Sequence, residues 1–558
     1  MPDVLTYGLL SQVVPPPSVG VGAMFMLMLF IASSVVIGVL ANRATRSGGF
    51  LKGFFLGNRG LGTWALALTV TIQSGGTFMG FPSLVYSHGW IVALWIGSYM
   101  VVPITGFGIL GKRLAQLSRK TGAITVPDLF RNRFASPKLG VICTIFILLY
   151  LSFLMFAQFK AGAIVLQMAW PSEQIPSFAE DLKPGSGMSR YHIGLIVFTV
   201  TVVTYTMLGG FLAAVWTDLF QSVLMLVGVA ILLVASLRAA GGLEQATLTS
   251  LANTGPGFIT GPGFDATGQG NQFLPFSLAV SFFILWAWGG VGAPASLVRL
   301  MASQDTRVVR KSIGVLSLYN LGIYLPLLVI CICGRALIPG LRPGETDQII
   351  PRLAMLTTRD WPGGSFVAGL ILAAPFGAVL ATVSSYLVVL SSAWVRDIYQ
   401  RLFRPEATGD ELRRAVRVTM IVAGAVSVMV SWDPVDYLQA LIVFSTSGAA
   451  STFLIPAVMA CYWRRATADG ITAGMISGAV TVLTLYVVGI AGLVPQASIG
   501  QATNFRPYFL CGLDPMIWGV AVSLIAAVVV SLLGRAPDAA LIARMFDDEV
   551  RDGQPVTR

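Results

Sequence analysis

The stretch 373-AAPFGAVLATVSSYLVVLSSAWVRDIY-399 decides how this chain is read. It has no charge before Arg396 and Asp397, and it is long enough to cross a bilayer, which takes about 20 apolar residues. Ala374, Ala378, Ala381, Thr382, Ser385 and Ser392 recur at helical spacing on one face, with Leu380, Leu387 and Leu390 elsewhere. Small residues let membrane helices approach closely, and hydroxyls find partners inside a bundle. They also bond back to their own helix, so the stripe alone does not mark a site. Its charged end and the broken helices elsewhere in the chain make it informative.

Composition agrees with a membrane protein. Of the 558 residues 55% are hydrophobic and 11% charged, and the mean hydropathy is +0.78. That excludes a soluble globular domain. The net charge of +11 sits in short loops between apolar runs, which is how topology is encoded, so it does not signal nucleic acid. The five cysteines give no disulfide framework, and Cys331 and Cys333 cannot make a zinc site alone. With only His88 and His192, a histidine-based metal or catalytic site has no material, and no enzyme is predicted.

The expected architecture is an all-α polytopic membrane protein of about 13 transmembrane helices. The predicted spans are 21–42, 61–86, 90–111, 139–168, 192–209, 213–239, 275–301, 312–335, 366–395, 414–432, 435–463, 470–493 and 514–534. Residues 1–20 lack a positive region, so no cleavable signal peptide is expected. Basic residues cluster in alternate loops: 43–59, 112–138, 307–311, 396–417 and 464–465. The positive-inside rule makes those loops cytoplasmic, with the N-terminus outside and the C-terminus in the cytoplasm. Arg335, Arg342, Arg352 and Arg359 are an exception on the outer side. In 119-RKTGAITVPDLFRNRF-134, Thr125 is a candidate cap for a surface helix, with Asp128 three residues on.

Two spans are interrupted. In 64-WALALTVTIQSGGTFMGFP-82, Gly75 and Gly76 sit among Thr71, Gln73, Ser74 and Thr77; in 282-FFILWAWGGVGAPASLVR-299, Gly289, Gly290, Gly292 and Pro294 break the helix. Irregular backbone at membrane depth is tolerated only against protein or a water-filled cavity. Paired breaks in two halves point to a transporter site. Each break opens a block of five spans, 61–239 and 275–463. Residues 1–60 precede the blocks, two flanking helices follow at 470–534, and the tail is 535–558. Two ionisable residues stand out inside spans. Lys160 either snorkels to the surface or faces the bundle and an anionic solute. Asp218 either caps its helix or lines an ion path.

The stretches 57-GNRGLGTWALALTVTIQSGGTFMGFP-82, 204-TYTMLGGFLAAVWTDLFQSVLMLVG-228 and 299-RLMASQD-305, with the opening stretch ending in RDIY, resemble the sodium:solute symporter family. Within it, 107-FGILGKRLAQLSRKTGAITVPDLF-130, 334-GRALIPGL-341, 372-LAAPFGAVLAT-382 and 461-CYWRRATADG-470 resemble the pantothenate permease branch. The resemblance implies the leucine-transporter-type fold, a 5+5 inverted repeat with flanking helices. It implies a sodium site between spans two and nine, which falls on Val70, Gln73, Ala378, Ala381 and Thr382. It also places Asp218 near the ion path, beside Ser385. One departure is Ala381, where the family commonly has serine: a side-chain oxygen is lost, and either Ser384, Ser385 or a water replaces it, or the site is weaker, or protons take over the coupling. Beside both breaks, Ser74, Gly75, Gly76, Thr77, Trp286, Trp288 and Gly289 are the solute candidates, with Lys160. The expected function is sodium-coupled symport of a small organic solute, a carboxylate such as pantothenate. Partners are that solute, sodium and the lipid bilayer, with no nucleic acid and no further cofactor. The alternatives are proton-coupled symport on the same fold and a transport-like membrane receptor. The sequence leaves the oligomeric state open.

Overall fold

A computed structural model of the protein describes residues 20–44, 50–70, 74–170, 190–263, 273–433, 437–494, 500 and 503–546. Among them the chain is helical throughout, with one isolated bridge between Leu61 and Ser303 and no strand. The helices are α1 (Val21–Ala44), α2 (Phe50–Leu56), α3 (Thr63–Val70), α4 (Phe81–His88), α5 (Leu94–Pro103), α6 (Lys112–Thr121), α7 (Val126–Phe134) and α8 (Pro137–Ala169). Next come α9 (Arg190–Leu208), α10 (Gly210–Ala239), α11 (Leu243–Thr254), α12 (Phe276–Gly292), α13 (Pro294–Met301), α14 (Thr306–Leu337) and α15 (Ile349–Thr358). The last are α16 (Gly364–Ser392), α17 (Gly409–Val430), α18 (Leu438–Tyr462), α19 (Ala468–Ile490), α20 (Pro515–Leu533) and α21 (Ala539–Phe546).

Helix α16 is the axis of the bundle, buried at every position from Ile371 to Ser392. Its small residues explain how. A Cβ on Gly369 would lie 2.6 Å from the Ala23 carbonyl of α1, and one on Gly228 of α10 would lie 2.9 Å from Ala374 Cβ. Neighbouring helices therefore pack on α16 at backbone distance. Helix starts in the basic loops are capped as their sequences dictate. Asp128 N–H donates to Thr125 Oγ1 at 3.1 Å, and Val308 N–H donates to Asp305 Oδ1 at 2.7 Å. Gly89 turns the chain between α4 and α5 with φ +72°, where a Cβ would lie 2.2 Å from the Phe258 carbonyl oxygen.

Among the described residues ten helices are long and apolar enough to cross a membrane, or eleven if the pair α12 and α13, bent by 47°, is one span. The sequence predicts thirteen. The difference has local causes. The run Gly76–Thr121 counts as one candidate, which joins the end of the predicted span 61–86 to all of 90–111. The eight-residue α3 is short, and α17 opens with Asp410, Glu411, Arg413 and Arg414.

Two of the four arginines that break the charge rule, Arg335 and Arg352, are held by intramolecular partners. The Arg335 guanidinium lies 4.9 Å from the Tyr86 ring centroid and donates through Nε to Thr254 Oγ1 at 3.0 Å. Arg352 donates to Gln348 Oε1 at 3.0 Å.

Candidate ion and solute site

Two helices break beside α16. The first is the interrupted span: α3 ends at Val70 and helix resumes at Gly75, running through wide turns at Gly76–Gly80 into α4. The break is held from the side, because Gly75 N–H donates to Gln158 Oε1 of α8 at 2.7 Å. A Cβ on Gly75 would lie 2.7 Å from Ala161 Cβ and 3.5 Å from Val379 Cγ2 of α16, so glycine is what lets the broken end approach both helices. The new N-terminus is satisfied locally. Gly76 N–H donates to Ser74 Oγ at 3.1 Å, and Ser74 N–H donates to Thr77 Oγ1 at 3.3 Å. Thr77 Oγ1 also shares a hydrogen bond of 3.0 Å with Tyr324 OH. The second break lies at Ala293, whose extended backbone (φ −67°, ψ 122°) separates α12 from Pro294 at the start of α13.

Between the breaks lies a cavity of about 150 Å³. Ser74, Gly76 and Thr77 line one side, with Trp286, Gly289 and the start of α13 on another. The wall is aromatic. Tyr99 stacks on Tyr324 with centroids 4.0 Å apart and on Trp286 at 5.6 Å. No Asp, Glu, Lys, Arg or His is among the lining residues. Trp286 Nε1 and Gln439 Oε1 are buried there without hydrogen-bond partners among the described residues. The wall's polarity comes from hydroxyl and amide side chains such as Thr77, Asn320, Tyr324 and Gln439, and from helix ends. The N-terminus of α13 at Pro294 presents partial positive charge to the cavity, and α12 ends beside it with partial negative charge.

The ion candidates fall on both sides of the first break. Ala378, Ala381 and Thr382 are buried on α16, and Thr382 Oγ1 donates to the Ala378 carbonyl at 2.8 Å, so the two oxygens sit together. Val70 ends α3, and Gln73 lies outside the described residues. The hydroxyls that stand in line to replace the missing one at Ala381 are engaged. Ser384 Oγ donates to the Ala381 carbonyl at 3.0 Å, and Ser385 Oγ accepts from Arg299.

The two intramembrane charges are both paired. Asp218 stands well inside α10, so it does not cap that helix; Arg299 of α13 donates to its Oδ2 at 2.6 Å, both side chains being 2% exposed. Lys160 does not snorkel and does not line the cavity. Its Nζ lies 2.9 Å from Asp347 Oδ2 in the turn before α15, buried on both sides. Leu438 N–H, at the start of α18, donates to the same oxygen at 3.3 Å. Of the solute candidates, Ser74, Gly76, Thr77, Trp286 and Gly289 line the cavity; Gly75 faces Gln158, and Trp288 is half-buried outside the lining. Sequence reasoning missed Gln158, Tyr99, Tyr324, Gln439, Arg299 and Asp347. For Gln158 a signal existed, a second polar residue in the same FAQFKAG run as Lys160.

Comparison with known proteins places this geometry. The model of the sodium:solute symporter family matches residues 54–478. The sodium/pantothenate symporter of Escherichia coli is 30% identical over 82% of this chain and 90% of its own length. That of Haemophilus influenzae is 32% identical over 84% and 91%. A sodium/proline symporter of Staphylococcus aureus is 27% identical over 90% and 92%. In fold, the chain is similar to a sodium-coupled sialic acid symporter in its substrate-bound outward-open state, at TM-score 0.65 and 18% identity, over 93% of this chain and 99% of that one. It is also similar to a nucleobase-cation-symport-1 family transporter in a closed conformation, at TM-score 0.52 and 13% identity over 87% and 93%. A family match over most of the chain, with relatives at this identity aligned over nine-tenths of their length, establishes that this multi-pass membrane protein belongs to the sodium:solute symporter family.

Proposed function

We propose that this transporter carries a small organic carboxylate such as pantothenate into the cell together with sodium, by alternating access. The family and the relatives make it a sodium-coupled symporter of a small solute and not an enzyme. The observation that carries the finer reading is the N-terminus of α13, at Pro294, opening on a cavity with no Asp, Glu, Lys, Arg or His among its described lining residues. Backbone amides and helix dipoles hold a carboxylate without a fixed cation. The Val70 carbonyl at the end of α3, the Ala378 carbonyl and Thr382 Oγ1 offer oxygen ligands of the kind that a hard cation takes, and Gln73, outside the described residues, is the further ligand in this reading. Here Thr382 is the side-chain ligand, Ala381 supplies no hydroxyl, and Asp218 with Ser385 lies on the ion's way out.

In this reading the spans number thirteen, counting α3 with α4, α12 with α13, and α17. Residues 61–239 and 275–463 form two inverted five-helix repeats, with 470–534 flanking. The N-terminus lies outside, and the basic loops and the tail from 535 lie in the cytoplasm. Sodium draws the first break against α16 and completes the cavity; the loaded bundle then rocks open. Each charge moved gains about 2.3 kcal/mol per 100 mV of membrane potential. A cavity of about 150 Å³ suits a benzene-sized ligand, so a longer carboxylate requires a wall to move during loading.

Ala381 favours a second reading, coupling to protons. Uptake into proteoliposomes separates the two: an inward sodium gradient against choline at matched pH, with pantothenate, short monocarboxylates, proline and a sugar. Sodium-driven accumulation of a carboxylate supports the proposal. Uptake indifferent to sodium and driven by an imposed pH gradient overturns it in favour of protons.

A further inference from the structure

The chain beyond its last long helix folds back on the body of the protein. The Phe546 ring at the end of α21 faces two guanidiniums, that of Arg133 at 5.0 Å and that of Arg464 at 5.4 Å from its centroid. Lys120 Nζ donates to the Met545 carbonyl at 3.1 Å, and Met545 is buried. The three basic residues stand on different elements. Lys120 is in the last turn of α6, Arg133 is on α7, which packs on α8, and Arg464 follows α18. Met545 and Phe546 thereby roof a small cleft between α6 and α18 that contains Cys461.

Arg133 is the informative group. It is fully buried, its Nε donates to the Ala460 carbonyl at 3.2 Å, and neither terminal nitrogen has a hydrogen-bond partner among the described residues. A buried guanidinium without partners is costly. Here the faces of Phe134, at 4.7 Å, and Phe546 compensate for part of that cost. Release of Phe546 would cost one ring contact to Arg133 and open its guanidinium to water, so part of the cost of undocking would be offset.

We propose that α21 is a clasp on the basic face: docked, it ties α6, α7 and the end of α18 together and slows opening of the central cavity toward that face. The cavity's role rests on the transport reading above; the docking does not. Thiol labelling tests both. Cys461 is kept as the only cysteine, and an impermeant thiol reagent is applied to inside-out vesicles. A second reporter, Ser296→Cys in a cysteine-free chain, sits in the cavity wall. Phe546→Ala should speed labelling of both reporters about tenfold, the loss expected for two cation–π contacts. Phe546→Tyr, which keeps the ring, should restore slow labelling, and this separates clasp loss from misfolding. Unchanged labelling of Cys461 overturns the docking. Faster labelling of Cys461 with unchanged labelling at position 296 overturns the brake. Neither arm needs a transported solute, so a failure of the transport reading shows separately, in the uptake assay.

Discussion

Replacing Lys160 by Met separates two roles for this residue. The ammonium and the Asp347 carboxylate lie 2.9 Å apart with side chains 6% and 1% exposed. Removing one member of such a pair leaves the other charge buried and uncompensated, at a cost of about 3–5 kcal/mol. Lys160→Met and Asp347→Asn should therefore each lower thermal stability in detergent strongly. The double variant should recover most of the loss, because a matched neutral pair removes both desolvation penalties. A double-mutant cycle on the unfolding midpoints should show a coupling of about 3 kcal/mol or more. A solute-binding lysine predicts another pattern: Lys160→Met raises KM for an anionic solute with little change in stability, and Asp347→Asn does not rescue it. Because the pair also links α8 to the turn before α15 and to the start of α18 through Leu438 N–H, losing it should loosen this corner and leave the cavity wall in place. Additive losses in the cycle would refute the pairing argument.

Three further outcomes follow from named contacts. Thr382→Ala removes a hydroxyl that bonds to its own helix, so stability should change by less than about 1 kcal/mol. The sodium concentration for half-maximal uptake should rise about tenfold or more, as for loss of one hydrogen-bonding group to a charge; an unshifted sodium dependence would sink the ion site. Gly80→Ala places a Cβ 2.0 Å from Gln439 Oε1 and 3.1 Å from its Cδ, an overpacking cost of about 1–3 kcal/mol; adding Gln439→Ala should restore the melting temperature but not solute affinity. Arg299→Gln leaves the Asp218 carboxylate buried without its cation, and thermal unfolding should show a loss of about 3 kcal/mol, relieved by adding Asp218→Asn.

What the sequence made legible was local. Two glycine clusters and a proline marked both breaks, because only they tolerate or force irregular backbone at depth. The small-residue stripe marked α16, because close helix approach needs small side chains. The cap at Thr125 follows from its spacing to Asp128. What it did not reveal was long-range. Gln158 meets Gly75 across 83 positions, Arg299 meets Asp218 across 81, and Lys160 meets Asp347 across 187. No periodicity encodes such meetings. Asp347 sat in a connection with no motif, so the reading of Lys160 stood between snorkelling and facing an anionic solute, while a carboxylate partner lay 187 positions on. The aromatic wall was hidden for the same reason: Tyr99 and Tyr324 belong to helices far apart in sequence and stack only once the bundle forms.

The neutrality of the cavity wall carries a consequence for coupling. A carrier returns empty on every cycle, so whatever charge its site holds must also be tolerated without a ligand. A fixed lysine or aspartate in the wall would then be buried unpaired at several kcal/mol. Helix termini carry only partial charge and keep it whether the site is full or empty. The two buried charge pairs nearby, Lys160 with Asp347 and Arg299 with Asp218, are each closed on themselves and leave the wall uncharged. On these grounds a carboxylate entering alone brings an uncompensated negative charge into the bundle, and sodium entering alone brings a positive one; together they neutralise each other. Mutual dependence of ion and solute thus needs no mechanical relay between them. It predicts reciprocal affinities: saturating solute should tighten sodium by the same factor as saturating sodium tightens solute. Isothermal titration of each ligand with and without the other measures both factors, and independent binding would refute neutralisation as the source of coupling.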